Sequence, residues 1–250
     1  MACSCAGTVA LLVLYVATVL NTVAFILPLW STSTVVTDSL QDEVSNADFA
    51  AGIWGFCTDI EFQKNASSAN ESFTFDHCYF FHTSSKFDLT EIDDEFTGNF
   101  SDMSVCNGYR QAKDEGDDVL AVYSGIYAYV AGMNETTFGE FLDKSCGALG
   151  SASLSLGAIS LATGVLACVF LTLGITCCKS KSVFVVSGRV LVLLSFFATL
   201  LTFVLWLPQS HMLGKGDDVT LNGSFVLSVI AAVLYLIDLG LVARHAAVSK

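Results

Sequence analysis

The side chains best suited to chemistry in this 250-residue chain cluster between residues 57 and 82. His77 and His82, near Asp76, come closest to a metal-ligand set. Their five-residue separation in a strand-like run does not place both on one face, so no metal and no cofactor is expected. The chain has no G-x-S-x-G elbow, no phosphate loop and no intramembrane pair of acids, so no catalytic residue is assigned and an enzyme is not expected. Asp59, Glu61 and Asp76 are carboxylates that could attract cations by their field. Cys57, Cys78, Cys106 and Cys146 are an even set that permits three pairings.

The elements that must position these groups follow from hydropathy. A helix needs about 20 mostly apolar residues to cross a bilayer. Four segments qualify: 9–30, 149–178, 185–207 and 223–243. The first has no basic residue ahead of it and outruns a secretory signal core, so it is read as a retained span. Lys179, Lys181 and Arg189 gather between spans two and three, while Arg244 and Lys250 follow span four. Basic residues in short loops mark the cytoplasmic side. The expected order is a cytoplasmic N-terminus (1–8), a large extracellular loop (31–148), a cytoplasmic loop (179–184), a second extracellular loop (208–222) and a cytoplasmic tail (244–250), in the plasma membrane with both termini inside. Residues 31–150 hold 21 of the 24 acids and five basic residues, a local net of −16. So acidic a segment disfavours nucleic acid and anionic lipid as partners and attracts cations.

Cysteine usage agrees with that sidedness, because disulfides persist in oxidising compartments. Four sequons, at Asn65, Asn70, Asn99 and Asn134, fall in the same large loop, whereas Asn222-Gly-Ser224 lies too near span four to be used. Apolar residues alternate over 52–62 and 72–81, which predicts two strands. If Cys57 faces Cys78 across an antiparallel hairpin, Ile60 faces Phe75, Phe62 faces Phe73, and Asn65 and Asn70 lie at the tip. One face then carries Ile60, Phe62, Phe73, Phe75 and Tyr79, and the disulfide face carries Asp59, Glu61 and Asp76. Asp59 opposite Asp76 is a like-charge pair, either tolerated at a solvated edge or a cation site.

Beyond Cys78, the acidic stretch 86–118 is expected to be irregular. Val119–Met133 is too short and too interrupted by glycine to span a membrane, and reads as a packed helix or hairpin. Phe138, Phe141 and Leu142 form a further apolar stripe. In span two, Ser153, Gly157, Ser160, Gly164 and Cys168 recur every three or four residues, a stripe that permits close helix packing, within the bundle or between protomers. Arg189 and Asp238 are candidates for an intramembrane ion pair, with separate snorkelling as the alternative. Cys3, Cys5, Cys177 and Cys178 are juxtamembrane candidates for palmitoylation, or simply small apolar residues.

Trp30 at the end of span one, then Gly52, Ile53, Trp54, Cys57 and Cys78, resemble the W, G-L-W, C, C signature of the claudins, whose superfamily includes the peripheral myelin protein and calcium-channel gamma-subunit branches. The four-span order, the large first outer loop and Trp206 ending span three resemble the same family. Ile53 stands where the family has leucine, and the 20 residues between Cys57 and Cys78 exceed the family spacing. The resemblance implies a membrane all-α four-helix bundle with a small extracellular antiparallel β-sheet domain, in which Trp30 and Trp54 are structural anchors at the outer interface. It implies a protein of cell-cell junctions or adhesion, partnered by membrane lipid and by itself or other claudin-like proteins, and able to line a paracellular path; the sequons add glycosylation, and the acidic face would favour cations along that path. The alternatives are an auxiliary subunit of an ion channel or receptor, and a tetraspan organiser of membrane domains. The tail Ala247-Val248-Ser249-Lys250 lacks the apolar last residue that junction scaffolds bind, so scaffold binding through the C-terminus is not expected.

Overall fold

A computed structural model describes residues 5–34, 36, 40, 44–63, 72–84, 102–177, 182–211, 213 and 219–248. Four helices are long and apolar enough to cross a membrane: Ala6–Ile26, Ala148–Thr176, Val183–Ser210 and Gly223–Ala247. The shortest has 21 residues, and at ~1.5 Å per residue it matches a hydrocarbon core of about 30 Å. Each belongs to a helix apolar on every side, α1 (Cys5–Ile26), α5 (Ala148–Thr172, continued as one π-helical turn, Leu173–Cys177), α6 (Ser182–Ser210) and α7 (Gly223–Val248). Such helices suit lipid on the outside and packing within. Leu12, Val16, Val19, Val190, Val233 and Leu236 accordingly face outward.

The chain divides into two compact units. The first comprises residues 1–27, 152–204 and 223–250. In it α1 runs antiparallel along α7, as a Cβ built on Gly7 would lie 3.0 Å from His245 while the Tyr235 hydroxyl donates to Thr18 Oγ1 at 3.4 Å. The small-residue stripe of span two turns inward. A Cβ on Gly157 would meet the Phe25 ring at 2.6 Å, and one on Gly164 the Tyr235 hydroxyl at 2.7 Å. Ser153, Ser160 and Cys168 are buried beside them. α1 stops at Ile26, short of the expected 30, because Pro28 disfavours helical backbone in the residue before it.

The second unit comprises residues 28–151 and 205–222. Its sheet has five strands in the order β4-β3-β2-β1-β5, here Ser72–Phe80, Gly55–Gln63, Val44–Gly52, Ser31–Ser33 and Thr220–Leu221. The β3–β4 register pairs Cys57 with Cys78, Ile60 with Phe75 and Phe62 with Phe73, as alternation predicts. The strand expected to begin at residue 52 is in fact two elements. Gly52 closes β2 and pairs with Gly55 of β3, so Ile53-Trp54 is a two-residue hairpin loop. Gly55 is required there, since a Cβ would lie 2.1 Å from the Tyr79 carbonyl oxygen.

The acidic stretch expected to be irregular is largely helical where it is described. α2 spans Val105–Glu115 and α3 spans Asp117–Val130. Ser104 caps α2 by accepting from the Asn107 amide, and Val105, Tyr109 and Ala112 recur at helical spacing on its buried side. The charge run Asp114–Asp118 is a helix junction, with Asp117 and Asp118 at the favourable N-terminus of α3. α4 follows at Glu135–Cys146 and buries Phe138, Phe141 and Leu142.

Candidate functional site

Strand alternation sorts the sheet of the second unit into two faces. The inner face carries Phe49, Phe56, Ile60 and Tyr79, all essentially without solvent exposure. Phe56 lies at its centre, with ring centroids of Phe49, Tyr79, Phe81, Tyr127 and Phe138 between 5.1 and 6.1 Å away. Such stacked and edge-to-face pairs add to the area that aromatic rings bury. Burial pushes the Tyr79, Tyr123 and Tyr127 phenols well above their ordinary range.

The outer face is acidic. Asp48 of β2, Asp59 of β3 and Asp76 of β4 pair in direct register, and all three are exposed. Glu61 sits two residues beyond Asp59, between Asn46 and Thr74. Directly opposed residues on neighbouring strands hold their Cβ atoms ~5 Å apart, so three carboxylates line up across three strands. A row of that kind concentrates negative field at the sheet surface and is stabilised by a cation or by solvent. Residues 57–78 reveal only two of the three. Asp48 is missed because β2 alternates weakly, with alanine at positions 47 and 51 on its inner face and a bulge between Val44 and Asn46.

Two disulfides brace this unit, Cys57–Cys78 across the β3–β4 hairpin and Cys106–Cys146 between the start of α2 and the end of α4. Beside the second, the Tyr109 hydroxyl donates to Asp143 Oδ1 at 3.2 Å, and Lys113 Nζ approaches the same oxygen at 3.4 Å. Burial together with the Asp143 carboxylate pushes the Tyr109 phenol up to about 12.

The signature tryptophans have distinct roles. Trp30 is fully buried within its unit, and its ring meets Trp206 edge-on at 5.8 Å. Trp206 Nε1 donates to Ser31 Oγ at 3.0 Å, and the Trp30 amide donates to the Ala51 carbonyl. The Trp54 ring lies over Phe80 at 4.9 Å, and its carbonyl accepts from the Phe81 amide.

His77 faces the inner side of β4, edge-on to Tyr79 at 4.8 Å, whereas His82 lies beyond the strand end. Burial lowers both imidazoles below the ordinary value, with Asp76 partly opposing at His77 and Arg110 adding at His82. Among the described residues no group of three metal-binding side chains occurs.

Arg189 and Asp238 are not brought together. Asp238 is fully buried with neither carboxylate oxygen hydrogen-bonded, whereas Arg189 is exposed. The inward row of α6 passes through Gly188, Val192 and Ser195, which leaves position 189 about 100° away on the outer surface. Snorkelling of Asp238 fails too, because the carboxyl is enclosed.

Asn134 is exposed at the N-cap of α4, where its Oδ1 accepts from the Thr136 and Thr137 amides. A glycan on its Nδ2 leaves that cap in place. Where the sequon is used, Asn134→Gln is expected to remove the glycan and weaken α4 by about 1 kcal/mol, whereas Asn134→Asp removes the glycan and keeps the cap. Gel mobility with endoglycosidase, read beside urea-dependent protease resistance, checks both. Asn222, at the sequon read as unused, donates from Nδ2 to Thr32 Oγ1 at 2.8 Å. Asn65, Asn70, Asn99, Cys3 and Cys178 lie outside the described residues, as do the side chains of Cys5 and Cys177.

No protein-family model matches this chain. No curated protein matches it in sequence.

Proposed function

We propose that this chain is a claudin-like four-span protein of cell contacts, whose first inter-span segment is displayed outside the cell and presents a cation-attracting sheet face. The exposed row Asp48-Asp59-Asp76 carries this reading, because three registered carboxylates, with no ion pair to them among the described residues, favour mobile cations over anions. The membrane character of the four helices supports it. So do the buried Trp30, the Gly52-Ile53-Trp54 turn and the Cys57–Cys78 bridge, which give the signature residues structural work.

Expressed in an epithelial layer that lacks its own tight barrier, the wild-type chain should raise the sodium-to-chloride permeability ratio. Asp48→Asn, Asp59→Asn and Asp76→Asn together should abolish that rise, with the protein still at cell contacts. An unchanged ratio would retire the selectivity reading.

A second reading, an auxiliary subunit bound laterally to a channel or receptor, is favoured by the sequons at Asn65 and Asn70 in the segment joining β3 to β4. Bulky glycans there obstruct head-to-head contact between cells. Co-purification with a channel from isolated cells, without enrichment at contacts, would select this alternative.

A further inference from the structure

Asp238 is the only acidic side chain fully buried among the described residues, and both its oxygens lack a hydrogen-bond partner. It stands near the middle of α7, where Tyr235 three residues earlier and Val242 four residues later share its face. Both belong to an apolar cluster with Leu14 of α1, Cys168 and Leu171 of α5, and Val192 of α6. Arg189 faces away, so among the described residues no basic group pairs with the carboxyl. A carboxylate enclosed by hydrocarbon and left unpaired is so unfavourable that the group takes up a proton instead. Ionisable residues inside membrane helices are rare, and they mark ion or proton pathways.

A polar seam starts beside it. Asp238 lies within electrostatic reach of the Cys168 thiol and the Tyr235 hydroxyl. Tyr235 donates to Thr18 Oγ1, which also contacts Cys168 Sγ at 3.5 Å. One turn further along α1, Asn21 Nδ2 donates to Ser160 Oγ at 2.8 Å. Ser160 in turn bonds the Thr199 hydroxyl, and Ser195 bonds Thr163 at 2.7 Å. All four helices thus contribute hydroxyl or amide groups to one buried column that climbs toward the Ile26 end of α1. Hydroxyl and amide bonds across helices are ordinary packing in a membrane bundle; what packing leaves unexplained is the unpaired carboxyl at the foot of the column.

We propose that Asp238 is an intramembrane proton-binding site, a carboxylic acid that exchanges its proton with water through the Tyr235 hydroxyl at the near end of this seam, once rotation of the carboxyl closes the bond that neither oxygen makes here. The exchange is COO⁻ with H₃O⁺, giving COOH and H₂O, and its reverse. The titratable groups facing it are Cys168 on α5 and Tyr235 on its own helix. Leu14 of α1 and Val192 of α6 belong to the same cluster, and Thr18 of α1 bonds Tyr235; none of these titrates. His245 lies two turns further along α7, beside Gly7.

The full chain in lipid vesicles is treated with dicyclohexylcarbodiimide, an apolar reagent to which a protonated carboxyl adds its O–H across a C=N bond. Peptide mass spectrometry then locates the adduct. Asp238 should be modified in preference to Asp48, Asp59 and Asp76, with labelling that falls about tenfold per pH unit above the titration midpoint. Labelling that does not vary with pH, or protection by sodium in place of alkali, overturns the proposal. Infrared spectroscopy decides if the reagent fails to reach the site. The carbonyl band of a neutral carboxylic acid should be present in the wild type, absent in Asp238→Asn and lost at alkaline pH. Ser160→Ala with Thr199→Val should slow its hydrogen–deuterium exchange. Absence of that band, or exchange unaffected by the seam variants, overturns the proposal.

Discussion

Phe56→Ala is expected to cost the sheet unit about 3–5 kcal/mol, enough to leave much of it protease-sensitive under conditions in which the wild type resists. The magnitude follows from position. Phe56 has no exposed surface, sits in the middle strand of the β2-β3-β4 face and meets five aromatic rings. Truncation removes the ring's transfer energy and opens a cavity that the surrounding rings, held by the sheet on one side and helices α3 and α4 on the other, cannot close. Phe56→Leu retains most of the volume and should cost markedly less. Urea-dependent pulse proteolysis of the full chain in detergent reads the difference. Equal loss in both variants would mean that burial of any large apolar side chain is not what holds this face.

Removing Cys106–Cys146 as a double alanine variant is expected to cost about 4 kcal/mol, against about 3 kcal/mol for Cys57–Cys78. The bridges close chain separations of 40 and 21 residues respectively, and in the chain-entropy account the longer loop gains more from closure. Context widens the gap. The hairpin retains its nine-residue β3–β4 ladder when its bridge is lost, so its strands stay in register. α2 and α4 have no such ladder between them, and loss of their bridge leaves side-chain packing and the Asp143 contacts with Tyr109 and Lys113 to hold them. Half-unfolding urea concentrations for the two variants, with unchanged dependence on urea, test the ranking. A larger loss at Cys57–Cys78 would show that β3–β4 registration depends on its covalent tie.

Legibility differed from element to element for physical reasons. The four spans could be read because a helix surrounded by lipid must be apolar on every side, which leaves an unbroken mark in the chain. The β3–β4 register could be read because its inner residues are large and its outer ones charged, so period-two alternation is strong from Phe56 to Phe62. β2 was not legible, since Ala47 and Ala51 bury little area and the bulge after Val44 breaks the period. The helix at 105–115 was obscured by the acidic runs around it, although the Ser104 cap and the Val105, Tyr109, Ala112 spacing were available as signals, whereas the apolar stretch 119–133 admitted a packed helix and the structure has one at Asp117–Val130.

What the sequence by itself determined is the set of local environments: apolar helices, one alternating hairpin, and an acidic, cysteine-bearing segment between the first two spans. Tertiary structure alone decided which distant residues meet. Ser31 pairs with Leu221 across most of the chain, and Trp206 donates to Ser31 with no periodic trace of either contact. Asp48 joins Asp59 and Asp76 only because β2 is laid beside β3. The rotation of α6 about its own axis turns Arg189 outward, with Gly188 packed closely on Leu171, and that of α7 encloses Asp238 on the face it shares with Tyr235 and Val242. Periodicity reports what surrounds each residue on average; partners separated by long stretches of chain are chosen by shape and closure.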